Sequence, residues 1–320
     1  MNDAVFVEAP ARLHFGVLDL RGSLGRWFGG IGAAAPGPTL CLSASPADTL
    51  EVSGPNADRA AEFAKIFHAH YRLTAGVRLH VERALPEHAG LGSGTQLALA
   101  IARALAEVHG VNAEASELAC VMGRGRRSGI GTWTFAGGGL VVEGGHRPSA
   151  PGVAPLLARV PFPPSWRCVV AVPNPARGIS GDAEAAAFAG LPPPPEHDVE
   201  RVAHLVLMGL LPALADADIA SFGAALTAIQ TITGRWFAPA QGGTFASGQS
   251  EELVRRMADW GAAGVGQSSW GPAVYGIVEG EEAGLRLADR VRGVLSTDGS
   301  VHAGPFRAEG ARVWREKTDS

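Results

Sequence analysis

The chain has 320 residues, enough for two domains or one large one, and 46% of them are apolar, which supports a sizeable core. A formal net charge of −4 leaves no broad basic surface for nucleic acid, so no nucleic-acid partner is expected. The opening MNDAVFVEAP lacks the basic and apolar regions of a signal peptide, and the longest apolar run, LVLMGLLPALA at 205–215, is too short for a bilayer and carries Pro212, so no membrane partner is expected either.

In chain order, strand-like runs come first: VFVEAPARLHFGVLDL, TLCLSAS, DTLEVSG and VRLHVERAL, with an amphipathic helical stretch, RAAEFAKIFHAHY, before the last of them. Helices are predicted over Gln96–His109 and Ser116–Gly123, the second with Glu114 and Glu117 near its positive end. GGGLVVEGG reads as a strand between glycine turns, and a proline-rich link, PSAPGVAPLL to PFPPSW, leads to the buried strand RCVVAVP. LPPPPEHD at 191–198 is a polyproline loop. Two antiparallel helices follow over Val199–Leu214 and Asp218–Thr233, then a helix over Ser250–Trp260, the strand VYGIVEG and a last helix over Glu281–Leu295. Lys317 falls in a polar tail. Strands cluster early and helices late, which predicts an α+β fold, not a doubly wound sheet.

The three cysteines, Cys41, Cys120 and Cys168, form no CxxC or Cys/His zinc spacing, so a reducing cytoplasm is the expected location. Only Lys65 and Lys317 are lysines, so 25 of the 27 basic residues are arginines. There is no Gly-Lys-Ser/Thr triplet for a Walker loop. Neither lysine sits where a buried Schiff base would form, so no pyridoxal phosphate is expected.

The segment PEHAGLGSGTQ joins an apolar strand to a long Ala/Leu helix. Gly90, Gly92 and Gly94 allow positive φ and close approach of a ligand. Ser93 and Thr95 bring hydroxyls, and the loop amides with Gln96 at the helix start make an anion site. A dinucleotide fold is excluded, because Gly-x-Gly-x-x-Gly spacing and a ribose-binding acid some twenty residues on are both missing. The competing reading is a tight turn before a packing helix. The context instead resembles the GHMP kinase superfamily, whose phosphate motif Pro-x-x-x-Gly-Leu-Gly-Ser-Ser is matched by Pro86, Gly90, Leu91, Gly92 and Ser93, with Gly94 in place of the second serine. GVGQSSWGPAVYGIV at 264–278 resembles the superfamily's C-terminal glycine-rich motif. The resemblance implies an N-terminal domain like ribosomal protein S5 domain 2 over 1–160 and a ferredoxin-like C-terminal domain over 161–320.

A GHMP kinase carries Ser-Gly-x-Asp downstream, the aspartate acting at the acceptor hydroxyl. Here Ser128 and Gly129 match, Gly131 stands in the aspartate's place, and no acid lies between Arg127 and Glu143. Arg124, Arg126 and Arg127 crowd the same segment, as a solvated basic turn or as forks for phosphate and carboxylate. ARLHFGVLDL, GRWFGGIG, GLGSGTQLALA, GRGRRSGIGTW and GQSSWGP, in that order, are similar to the β-ribofuranosylaminobenzene 5′-phosphate synthase family. That resemblance implies a decarboxylating phosphoribosyltransferase joining phosphoribosyl pyrophosphate to 4-aminobenzoate or 4-hydroxybenzoate, releasing CO2 and pyrophosphate, in tetrahydromethanopterin biosynthesis. It also implies Mg2+ and a homodimer. The two-acid signature of ordinary phosphoribosyltransferases is absent from CVVAVPNPARG, so the donor rests on the resemblance alone.

Such a reaction assigns the leaving pyrophosphate to the 90–95 loop, the 5-phosphate to Arg124, Arg126 and Arg127, and the acceptor's carboxylate to Arg12 or Arg26. Period-2 alternation places Arg12 and His14 on one face of the first strand, with Asp19 beyond, as cleft contacts or as solvent-facing residues. Trp27 and Phe28 form either an aryl pocket or an aromatic anchor for their loop. Gln267, Ser268, Ser269 and Trp270 either close the phosphate side from the second domain or make a strand-entry turn. Ser180, Asp182 and Glu184 read as a helix cap. His68 and His70, two apart on a helix, share no face and make no metal pair. Two other readings stay open: an ATP-dependent small-molecule kinase, and a nucleotide sensor without catalysis.

Overall fold

The computed structural model describes residues 3–150, 152–173, 181–295 and 297–317. Two long strands dominate the first half, β1 (Asp3–Asp19) and β2 (Phe28–Ala47), paired antiparallel from Val5↔Ala44 to Asp19↔Phe28. Strand β2 takes in FGGIGAAAPGP, which the sequence reading left as loop. Small residues there carry little strand signal, but between β1 and its other neighbours the segment is almost wholly buried. β3 (Leu50–Ser53) runs parallel to β4 (Gly76–Arg83), with α1 (Ala57–Tyr71) as the crossover. Helix α1 buries Ala60, Phe63, Ala64 and Phe67, one face at helical spacing.

Helix α2 (Ser93–His109) is buried on nearly every side from Gln96 to Ala106 and fills the space beneath β1 and β2. Its many alanines let it lie close to the sheet. Then come α3 (Ala115–Val121), α4 (Ile130–Gly137), β5 (Leu140–Glu143) and β6 (Leu156–Val160), the last lying inside the expected proline-rich link. Helix α4 was not anticipated, because GIGTWTFAG carries glycines and β-branched residues that count against a helix.

The second half builds a four-stranded sheet, in the order β10-β7-β9-β8, from β7 (Trp166–Val172), β8 (Gly264–Gln267), β9 (Val274–Glu279) and β10 (Ser300–Gly304). Its helices are α5 (Gly181–Gly190), α6 (Glu196–Leu205), a π turn at Val206–Leu210, α7 (Leu211–Ala215), α8 (Ile219–Gln241), α9 (Gln249–Asp259) and α10 (Glu281–Arg292). The antiparallel helix pair and the last helix therefore stand near their expected places. The polar tail is instead a strand, β11 (Arg312–Lys317), which pairs with β1 from Asp3↔Lys317 to Glu8↔Arg312. The order β11-β1-β2-β4-β3, with β5 and β6 branching from β2, completes the first sheet. The α+β architecture is the one expected. The two sheets share a continuous core, in which Phe15 of β1 meets Tyr275 of β9 at 4.9 Å between ring centroids.

Candidate functional site

The loop between β4 and α2 reaches across to the second sheet. His88, Gly90 and Gly92 take φ of 55°, 79° and 78°. A Cβ on Gly90 would lie 2.2 Å from the Ser268 carbonyl oxygen, so only glycine lets these two backbones touch. Gly92 is the N-cap of α2 and offers no side chain to cap it; the Thr95 and Gln96 amides both turn back to the Gly92 carbonyl at 3.0 Å. The amides of Ser93 and Gly94 stand at the positive end of a 17-residue helix, an arrangement that favours an anion.

Four arginines from three segments line this loop pocket: Arg12, Arg59, Arg124 and Arg127. Arg12 threads beneath the loop, its amide donating to the Leu91 carbonyl at 3.0 Å and its guanidinium to the Gly90 carbonyl. Arg59, in the first turn of α1, donates to Glu87 at 3.0 Å and reaches the space a side chain at Gly94 would occupy. Arg124 lies over the Phe63 ring at 4.9 Å, and burial followed by the neighbouring Arg59 pushes its pKa down. Arg127 sits 5.6 Å from the Phe188 ring centroid. Among the described residues lining the pocket there is no carboxylate.

Next to this pocket lies a cleft between the two sheets. Four rings wall it: Phe28, Phe188, Phe237 and Trp270, with Phe188 meeting Phe28 at 5.6 Å and Trp270 at 5.4 Å, and Phe237 meeting Trp270 at 4.8 Å. His14, Gln230 and Thr233 add polar atoms. Burial, then Arg12, lowers the His14 pKa to about 3, so the imidazole is neutral at physiological pH. Arg12, Arg127, Ser269 and Trp270 line both the cleft and the loop pocket, so the two adjoin.

The structure thus brings together Arg12, His14, Phe28, Arg127, Ser128, Ser269 and Trp270, and sets Gly90, Gly92, Ser93, Gly94, Thr95 and Arg124 beside them. Other expected site residues are engaged elsewhere. Asp19 accepts from the amides of Arg21 at 2.6 Å and Gly22 at 2.9 Å, closing the turn after β1. Arg26 donates to the carbonyls of Gly144 at 2.5 Å and Gly145 at 2.8 Å. Gln96 is buried and donates to the Gly131 carbonyl at 3.0 Å, facing α4 instead of the loop pocket. Ser268, fully buried, donates to the Gly90 carbonyl at 2.7 Å and accepts from the His14 amide at 2.9 Å, so its hydroxyl joins the two sheets. Gln267 accepts from the Ala246 amide at 2.7 Å and donates to Gln241 and Ser269 along the cleft wall. Arg126 and Trp27 face a separate cavity behind Phe28. Ser180 lies outside the described residues, as do the side chains of Asp182 and Glu184. His68 meets His109, at 3.2 Å between their Nε2 atoms, and not His70.

Sequence reading missed Arg59, Phe188 and Phe237, which sit in helices with nothing local to mark them. It also passed over Glu143, fully buried at the end of β5. Its carboxylate accepts from the amides of Gly145 at 2.9 Å and Gly129 at 3.3 Å, and burial raises its pKa to about 6. A lone acid ending the apolar run LVV was the available signal. Among the described residues no group of three His, Cys, Asp or Glu side chains could hold a metal ion, and none of those lining the cleft or loop pocket is acidic. These residues do not fit a resident magnesium ion, which takes carboxylate oxygens, and no step below passes through one.

Comparison with known proteins agrees with this geometry. The GHMP kinase N-terminal domain family matches residues 58–138 and the GHMP kinase C-terminal family residues 210–297. The chain is 37% identical to the β-ribofuranosylphenol 5′-phosphate synthase of Archaeoglobus fulgidus over 89% of its own length and 91% of that protein's. It is 35% identical to the synthase of the same name from Methanothermobacter thermautotrophicus, over 94% of its own length and 98% of that protein's. Mevalonate pyrophosphate decarboxylase from Streptococcus pyogenes shares the fold, with a TM-score of 0.69 at 16% identity over 95% of this chain and 97% of that one. The cradle at α2, the arginines around it and these relatives converge: the chain belongs to the β-ribofuranosylphenol 5′-phosphate synthase family, on the GHMP kinase fold.

Proposed function

We propose that this enzyme joins phosphoribosyl pyrophosphate to 4-hydroxybenzoate or 4-aminobenzoate, with loss of CO2 and pyrophosphate. The observation that carries the reading is the charge pattern of two adjoining spaces: four arginines at a helix N-terminus, a ring-walled cleft beside them, and no carboxylate among the described lining residues. Transfer of phosphate to an alcohol takes a proton from the hydroxyl and suits an acid near the acceptor. Carbon–carbon coupling with decarboxylation does not. The ring carbon bearing the carboxylate forms a bond to ribose C1 as the bond from C1 to the pyrophosphate oxygen breaks. The electron pair of the ring–carboxylate bond returns to the ring as CO2 departs. No proton has to move at the reacting carbons.

On this reading the Ser93 and Gly94 amides, Arg59 and Arg12 take up charge as pyrophosphate leaves, a gain that grows toward the transition state. Phe28, Phe188, Phe237 and Trp270 hold the arene, and Arg12 or Arg127, at the junction, orients its carboxylate. Neutral His14 offers the ring substituent a hydrogen bond without adding charge. The polar floor of Gln230 and Thr233 suits a para hydroxyl or amino group.

The test is direct. Purified protein receives phosphoribosyl pyrophosphate and carboxyl-labelled 4-hydroxybenzoate or 4-aminobenzoate, and labelled CO2 and pyrophosphate are counted. Equal amounts of the two are expected with at least one arene. ATP-dependent phosphorylation of an alcohol, with no CO2 from either arene, would overturn the proposal.

A further inference from the structure

A second cavity opens behind Phe28, on the far side of Arg124 from the loop pocket. Arg124, Arg126 and Arg147 line it together with His146, Trp27 and the exposed Cys120. None of its described lining residues is acidic. Elsewhere on the surface, several arginines meet carboxylates: Arg78 with Glu51, Arg255 with Asp259, Arg256 with Glu252 and Arg286 with Glu282. Arg126 and Arg147 make no ion pair among the described residues. Arg124 and His146 also each hold one buried nitrogen, Nε and Nε2, without a hydrogen-bond partner. Three guanidiniums around one space with no acid among its described lining residues, in a protein of net charge −4, suit an anion with several oxygens.

The position of the cavity selects the anion. Arg124 lines both this cavity and the loop pocket, and Phe28 lines both this cavity and the arene cleft. The three spaces meet around one guanidinium and one ring. A ligand with two phosphate groups separated by a sugar would place one on each side of Arg124. We propose that the cavity holds the 5-phosphate of the phosphoribosyl donor, gripped by Arg126 and Arg147, with Arg124 shared between the 5-phosphate and the pyrophosphate. This rests on the donor assigned above and adds the division of its two phosphate groups between two pockets. The ribose would then cross beside Phe28, presenting C1 to the cleft. It also gives Arg126, remote from the α2 loop, a role at the opposite end of the same substrate, and brings in Arg147, which no motif marked.

The experiment separates the two ends of the donor by using ribose 5-phosphate and inorganic pyrophosphate as independent probes, with binding measured by calorimetry. Arg126→Ala and Arg147→Ala are each expected to weaken ribose 5-phosphate about tenfold, the loss of one charge-assisted contact, and to leave pyrophosphate unchanged. Arg59→Ala is expected to do the reverse. Unchanged pyrophosphate binding also reports that the variants are folded. Cys120 supplies a second readout, because Cys41 and Cys168 are buried and Cys120 is exposed in the cavity. Ribose 5-phosphate should shield Cys120 from iodoacetamide, and pyrophosphate should not. Ribose 5-phosphate that binds the R126A/R147A double variant as tightly as wild type, or leaves Cys120 equally reactive, overturns the subsite while leaving the overall reaction intact. Inorganic phosphate that stimulates turnover without competing with the donor would assign the cavity to a separate effector and also overturn it. Wild-type protein that binds neither probe overturns both this inference and the proposed reaction.

Discussion

Gly131 shows how one residue can close off a chemistry. It is buried in the first turn of α4, and a Cβ there would lie 3.0 Å from the Thr95 methyl. Thr95 thus packs against the position at which a superfamily kinase carries its aspartate. Gly131→Asp should therefore lose about 2 kcal/mol or more of stability, because it crowds Thr95 and buries a charge without a partner. Thermal unfolding checks this, and the variant should show no ATP turnover with alcohols. His14 and Glu143 give a second residue-scale test, with opposite signs. Burial and Arg12 lower His14 from 6.5 to about 3, so between those values the unfolded chain binds a proton that the folded one refuses. Stability through His14 therefore falls as pH drops below about 6.5. Burial raises Glu143 from 4.5 to about 6, so the folded state is the better proton binder there, and its contribution improves as pH drops through about 6. The fall in urea midpoint from pH 7 to pH 5 should accordingly be abolished or reversed in His14→Gln, where only the Glu143 gain remains, and be larger than wild type in Glu143→Gln.

At the scale of the element, the N-terminus of α2 is more than a helix end. Its glycines are placed for what lies against them: Gly90 for the Ser268 carbonyl and Gly94 for the Arg59 guanidinium, whose Nη2 stands 2.4 Å from where a Cβ would be. Superfamily kinases carry serine at the position of Gly94. In this chain a serine would displace Arg59, and so exchange a guanidinium for a hydroxyl at the anion site. Gly94→Ser is expected to raise the Kd for pyrophosphate about tenfold with little change in melting temperature, since Arg59 is a flexible, partly exposed side chain. Unaltered pyrophosphate affinity in calorimetry would show that Arg59 plays no part in holding it.

At the scale of the molecule, the site exists only because two sheets are held in register. Ser268 holds them at the cleft, bonded to Gly90 on the loop and to His14 on β1. Ser268→Ala leaves the buried His14 amide without its acceptor, while the Gly90 carbonyl keeps Arg12, a cost of about 1–3 kcal/mol. It should also raise the KM for the donor more than it lowers kcat, because the loop loses its fixed position while the reacting groups remain. A steady-state comparison of the two constants checks this. β11 closes the opposite edge of the first sheet, with Trp314 stacked on Phe6 at 5.3 Å. Ending the chain before Arg312 would uncover the edge of β1, and the truncated protein should aggregate on size-exclusion chromatography.

Local signals carried the sequence reading a long way. The glycine spacing at 90–94 marked the positive-φ loop at the start of α2, the missing acid at Gly131 argued against a kinase, and periodicity placed α2, α9 and α10 close to where they lie. Those features are legible because they depend on neighbours a few residues apart: a positive φ, a helix dipole, an apolar face. The glycine-rich half of β2, helix α4 and the terminal strand β11 were not legible, because what makes them strands or a helix is the partner they pack on. The site divides in the same way. Sequence alone determined that a glycine loop leads into a helix N-terminus close to an arginine-rich segment, and that the chain is poor in lysine. The tertiary structure decided which arginines: Arg59 arrives from α1, Arg126 is turned to a second cavity, and Arg26 is spent on the carbonyls after β5. A guanidinium's role depends on where its long side chain ends, and only the packing of distant segments sets that point.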